Sequence, residues 1–155
     1  MSPEPPELFV ELRMDRDLTR LSLVKNTVEA FLVRAGLPED EIYRSVIGIY
    51  EAFSNVVEHA YGESNEGEVV LAMTLRDGKI EIQVRDRGES FDPLSVKEIE
   101  WESYLTSGKK RGLGVHLMRQ VMDEIEYAPA SGGGENVLTM HRTIGAPGKE
   151  APPEV

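Results

Sequence analysis

The chain has 155 residues and a net charge of −11, with 17 Lys and Arg against 28 Asp and Glu. That length fits one domain, because two separate cores would each be marginal. The acidic balance argues against a general nucleic-acid binder, which needs a basic footprint, and against adhesion to an anionic membrane. Cysteine is absent, which removes disulfides, thiolate catalysis and Cys-ligated zinc. The histidines, His59, His116 and His141, form no H-E-x-x-H pattern. No apolar run reaches membrane-spanning length. The opening MSPEPPE lacks the basic and apolar regions of a secretory signal, so a cytoplasmic location is expected.

Residues 1–7 and 143–155 are proline-bearing and read as disordered tails, leaving 8–142 as the folded domain. Leu8 to Met14 alternates in hydrophobicity and predicts a strand. Asp15 to Asp17 caps a helix to about Ala35, whose Leu18, Leu21, Val24, Val28, Phe31 and Leu32 recur at helical spacing. Gly36-Leu37-Pro38 stops it, and Pro38-Glu39-Asp40 starts a second helix to about Tyr61. There Ile42, Val46, Ile49, Phe53, Val56 and Ala60 form the apolar stripe. Glu68 to Arg76 and Lys79 to Arg85 flank Asp77-Gly78, a strong hairpin signal. Asp86 to Gly112 reads as a long irregular segment with a short helix near Val96 to Trp101. Leu113 to Glu124 predicts a third helix. Ile125 to Ala128 and Asn136 to Arg142 predict strands around the run Gly132 to Gly134. The order implies an α+β fold, with helices on one face of a mixed, mainly antiparallel sheet.

Three groups of residues carry candidate chemistry. Glu51, Asn55 and His59 follow one another at four-residue steps, each rotating only about 40° around a helix, so they share a face away from the Phe53 stripe. A carboxylate beside a carboxamide oxygen can polarise a hydroxyl and ligate Mg²⁺, although a merely solvated polar face would look the same. Asp86, leaving an apolar strand, can accept a hydrogen bond from a base amino group, and Gly88 lets backbone approach a flat ring. Asp and Gly are equally common in plain turns. Lys109-Lys110-Arg111-Gly112-Leu113-Gly114 precedes a helix, where free N–H groups and the positive dipole end suit phosphate; a flexible hinge fits the same residues. It is neither a Walker A loop nor G-x-G-x-x-G. His116, His141 and the methionines at 118 and 122 read as structural.

Together the order and spacing resemble the GHKL, or Bergerat-fold, ATP-binding superfamily of gyrase, Hsp90, histidine kinases and MutL. Glu51-Ala-Phe-Ser-Asn55-Val-Val-Glu-His59-Ala-Tyr looks like its N box. Asp86-Arg-Gly88 looks like the first glycine box, Arg111-Gly112-Leu113-Gly114 like the second, and Asn136-Val-Leu-Thr139-Met like the closing strand. More narrowly, E-A-x-x-N-x-x-x-H-A-Y resembles the anti-sigma-factor serine/threonine kinases (RsbW-like) of bacterial partner switching.

The resemblance implies a two-layer α/β sandwich that holds ATP beneath a lid. By it, Asn55 ligates Mg²⁺, Glu51 is the general base, and Asp86 takes the adenine amino group above Gly88. Gly112, Leu113 and Gly114 meet phosphate, Lys109, Lys110 and Arg111 add charge, and Thr139 supports the adenine end through water. It further implies a STAS-domain anti-anti-sigma substrate, a sigma factor as second partner, and a homodimer. The alternative is a catalytically silent module that acts by sequestration. Two departures stand out. Ser90 replaces the second glycine of the family's D-x-G-x-G, and serine tolerates positive φ poorly, which puts nucleotide affinity or lid movement in question. The lid, about Leu94 to Arg111, carries Glu98, Glu100 and Glu102, whose charges would repel phosphate unless turned to water or a partner.

Overall fold

The computed structural model describes residues 7–15, 17–57, 67–95 and 113–145. The expected short helix near Val96 to Trp101, the lid acids, and His59 lie outside those residues, as do Lys109, Lys110, Arg111 and Gly112. Element order is β1 (Leu8–Asp15), α1 (Leu21–Ala35), α2 (Glu39–Asn55), β2 (Glu68–Arg76), β3 (Lys79–Asp86), α3 (Leu113–Val121), β4 (Glu124–Ala128) and β5 (Asn136–Thr143).

Local chemistry sets the boundaries. Asp17 Oδ1 accepts the Thr19 N–H at 2.9 Å and hydroxyl at 2.7 Å, so it caps a 3₁₀ turn at Leu18–Arg20, and α1 starts at Leu21 rather than at the aspartates. Gly36 ends α1 at φ 91°, where a Cβ would be strained, and the Leu37 N–H reaches back to the Leu32 carbonyl at 3.2 Å. Pro38 precedes α2, its fixed φ suiting a helix entry. Asp77 and Gly78 take φ of 50° and 71°, as a two-residue hairpin requires. α3 stops at Val121, short of the expected Glu124, because β4 begins there. The Asp123 N–H donates to the His141 carbonyl at 2.8 Å instead of continuing the helix.

Among the described residues, five strands run in the order β1-β2-β3-β5-β4 and their four pairings are all antiparallel, which narrows the expected mixed, mainly antiparallel sheet to an antiparallel one. The hydrogen-bonded sheet also takes in a residue or two of each expected tail. The Glu7 N–H donates to Leu75 O at 3.0 Å, extending the β1 ladder. Thr143 closes β5, and the Ile144 N–H donates to Gly78 O at 2.7 Å.

One face of the sheet carries Met14, Val69, Leu71, Met73, Ile80, Ile82, Val84, Leu138 and Met140, all buried against the helices. α2 lies in the middle of the helical layer, packed on α1 and α3. Its close approach to α3 depends on Gly48. A Cβ there would run into the Met118 side chain and stand 2.9 Å from the Gly114 carbonyl. The opposite face is polar, with Arg13 paired to Glu11 and Glu68, and His141 to Glu81.

The two layers are tied at the end away from Asp86 by Arg142, whose side chain is only 4% exposed. Its Nη2 donates to both Glu41 carboxylate oxygens at 2.9 and 3.0 Å, joining β5 to the first turn of α2. Removing one partner of such a pair strands a buried charge, which typically costs about 3–5 kcal/mol. Arg142→Met should therefore lower the urea-unfolding free energy by about 3 kcal/mol. Equilibrium urea titration checks this.

Candidate active site

The two candidate strand and helix ends meet. β3 ends on Asp86, which is only 6% exposed and sits beside α2 at the head of a cleft. Ala52, Asn55 and Val56 of α2, Val84 and Asp86 of β3, Leu138 of β5, Tyr127 of β4, and Glu89, Phe91 and Pro93 line it. Its cavity volume is about 30 Å³. Its walls are mostly apolar, and its polar groups come from Asn55, Asp86, Glu89 and Tyr127, a pattern suited to a flat heteroaromatic ring.

Asp86 is held from behind. Its Oδ1 accepts the Gly88 N–H at 2.9 Å and the Asn136 Nδ2 at 2.9 Å. Burial pushes its carboxyl above the usual aspartate range, against those two bonds, and the charge of Glu135 adds to the rise. Tyr127 accepts the Phe91 N–H at 3.1 Å, and burial raises its phenol as well. Asp92 Oδ1 accepts the Leu94 N–H at 2.8 Å and so caps a short 3₁₀ turn at Pro93–Ser95, whose Pro93 forms one wall together with Phe91.

Glu51 and Asn55 are both half-buried and lie on the α2 face that begins at Gly48. One turn above Gly48, Glu51 Oε2 accepts the Gly114 N–H at 2.5 Å, so the carboxylate sits on the N-terminal turn of α3. The dipole of that helix and its free amides favour an anion there. Any Cβ on Gly114 would strike Glu51, standing 2.6 Å from its Cβ. Glycine is required at 114 for this close approach. One turn further along α2, Asn55 reaches the cleft.

Of the expected site residues, the fold thus brings Asn55 and Asp86 to one cleft, with Gly88 bonded to Asp86, and sets Glu51 against Gly114. Leu113 opens α3 beside Gly114. Thr139 goes elsewhere. It pairs with Gln83 and Glu126, while its neighbour Leu138 lines the cleft. Alternation along β5 therefore turns Thr139 to the opposite, polar face of the sheet, and the expected water-mediated role is corrected. Ser90 escapes the strain expected of it: neither Ser90 nor Gly88 has a positive φ. Asn136 is the residue that reading the sequence missed. It is 1% exposed and bonded to the carboxylate of Asp86. A lone Asn at the start of a strand, just after a glycine run, was the available signal.

Residues 14–142 match the family model described as the histidine kinase-like ATPase domain. The serine-protein kinase RsbW of Staphylococcus epidermidis is 33% identical over 132 residues, covering 80% of this chain and 81% of that one. The enzyme of the same name from Staphylococcus aureus strain JH9 is 31% identical over 131 residues, covering 81% and 82%. Among solved structures, the RsbU and RsbW domains of a Mycobacterium tuberculosis protein align with a TM-score of 0.61 at 21% identity. That alignment covers 97% of this chain and 35% of the longer one, and it speaks to fold alone. With the family model spanning nearly all of the described structure, the chain belongs to the histidine kinase-like ATPase family, alongside the RsbW serine-protein kinases.

Proposed function

We propose that this chain binds Mg-ATP in the Asp86 cleft and transfers the γ-phosphoryl group to a serine or threonine of a STAS-domain anti-anti-sigma partner. In the unphosphorylated state that partner would hold this protein and leave a sigma factor free. The observation that carries the reading is the single cleft into which α2 delivers Asn55 and β3 delivers Asp86, with Glu51 one turn away on the N-terminus of α3.

Asp86 offers a carboxylate oxygen to the amino group of adenine, and the apolar walls cover the ring faces. The amides at the start of α3 face the phosphates, and the sequence just before it supplies three positive charges, Lys109, Lys110 and Arg111. Asn55 lines the cleft, and a carboxamide oxygen suits a hard cation such as Mg²⁺. When bound, that ion neutralises phosphate charge. Glu51 takes the proton from the attacking hydroxyl as the new O–P bond forms and ADP leaves. A carboxylate has more than one acceptor site, so the Gly114 N–H on Oε2 can hold Glu51 in place while it takes that proton.

That engagement of Glu51 also favours a second reading, in which the protein binds its partners without turnover. Labelled γ-phosphate transfer to a STAS-domain protein separates the two. Wild type should phosphorylate it, and Glu51→Gln should slow transfer by about 10²–10⁴-fold while still binding ATP. Absence of transfer by the wild type, with ATP bound, would leave sequestration.

A further inference from the structure

Asn136 lies at the first position of β5, buried, directly behind the proposed base-reading carboxylate. Its carboxamide makes four hydrogen bonds. The Nδ2 group donates to Asp86 Oδ1 and to the Gly88 carbonyl, both at 2.9 Å. The Oδ1 atom accepts the Ala130 N–H at 2.8 Å and the Ser90 hydroxyl at 2.7 Å. A side-chain amide has two donors and two lone pairs, so every site is used. The orientation is also determined. A backbone N–H can only donate, so the atom facing Ala130 must be the oxygen, and the NH₂ must face Asp86. With the amide so fixed, the Ser90 hydroxyl has to donate to it.

The consequence falls on Asp86. Both of its bonds land on Oδ1, the second from the Gly88 N–H, so the carboxylate cannot rotate without breaking them. Among the described residues no hydrogen bond to Oδ2 is formed. The turn Asp86–Ser90 and the loop before β5 are closed onto each other by this one amide.

We infer that Asn136, locked by Ser90, is a positioning residue that holds the Asp86 carboxylate with Oδ2 presented to the ligand and thereby sets selection for a purine bearing a 6-amino group. This rests on the nucleotide reading of the cleft above. A carboxylate held this way accepts from an exocyclic amine and repels a 6-keto oxygen. A carboxylate free to turn loses most of that distinction. Ser90 is the outer bolt of the lock.

The test is the ratio of ATP to ITP affinity, measured by calorimetry with magnesium on wild type, Asn136→Ala and Ser90→Ala, each first shown by thermal melting to be folded. The two nucleotides share ribose and phosphates, so general damage to the cleft lowers both affinities together. Wild type should prefer ATP. Asn136→Ala should lower the ATP:ITP ratio about tenfold, roughly the worth of one charge-assisted hydrogen bond. Ser90→Ala should lower it by about threefold, and it supplies the answer if Asn136→Ala does not fold. Equal loss for both nucleotides, or an unchanged ratio, in a folded variant would overturn the positioning role. Wild type that binds neither nucleotide would instead overturn the nucleotide reading, and this inference with it.

Discussion

Replacing Asp86 with asparagine should weaken ATP binding about thirty- to hundredfold while leaving the protein as stable at neutral pH as the wild type, or more so. The affinity loss follows from orientation. Oδ1 faces two donors, the Gly88 N–H and the Asn136 amide, so an asparagine must put its oxygen there. Its NH₂ then faces the cleft and opposes the adenine amino group, donor against donor. A hydrogen bond to a charged group is worth about 1.5–3 kcal/mol, and the clash adds to its loss.

The stability gain follows from burial. The folded state holds the Asp86 carboxyl above its usual range. The folded protein therefore keeps this proton more readily than the unfolded chain. The resulting stabilisation is fully present below the ordinary aspartate pKa and is lost as pH rises through the raised one. The substituted carboxamide does not titrate. Melting curves should show Asp86→Asn gaining on wild type as pH rises across that window. A variant that lost ATP binding and stability together would indicate a structural carboxylate instead.

Gly114→Ala should abolish phosphoryl transfer, with a loss of at least about 10²-fold, although alanine is the better helix former. The added methyl stands 2.6 Å from the Glu51 Cβ, so either Glu51 leaves the α3 N-terminus or the helix backs away from α2. Both routes move the proposed base relative to the phosphate amides. Overpacking of this kind costs about 1–3 kcal/mol, which for a domain of this size is a fall of several degrees in melting temperature. Gly48 faces the same α2–α3 crossing, one turn before Glu51, so Gly48→Ala gives the comparison. It crowds Met118 and Gly114, should destabilise similarly, and should slow transfer less. Equal activity of Gly114→Ala and wild type would show that the contact between Glu51 and Gly114 has no part in the reaction.

The elements were legible because their signals were local and redundant. Apolar spacing gave α1 and α2, Gly36 gave the stop, and Asp77-Gly78 gave the hairpin. The uniform antiparallel pairing was not, because strand order depends on contacts between Leu8–Asp15 and Glu68–Arg76, which local pattern does not encode. At the candidate site, helical spacing and a strand that ends on an acid singled out Glu51, Asn55 and Asp86, but each signal alone also fitted a plain surface or turn, and only their combined order resembled a known family. Thr139 was misplaced for a simple reason. Leu138 and Met140 are the stronger apolar pair of β5 and turn inward, which sends 137, 139 and 141 to the other face. Asn136 and Ser90 were missed as partners because they are 46 residues apart and joined only by the fold. Gly48, set inside an otherwise good helix, went unread as a sign of close helix packing; the residues it meets are Met118 and Gly114.

Calorimetric titration of Mg-ATP into the folded wild-type protein tests the account most directly. Saturable binding at one site per chain, competed by ADP and lost in Asp86→Asn, is the predicted result. Absence of binding in a protein that melts cooperatively would contradict it and would remove Glu51 and Asn55 from any catalytic role.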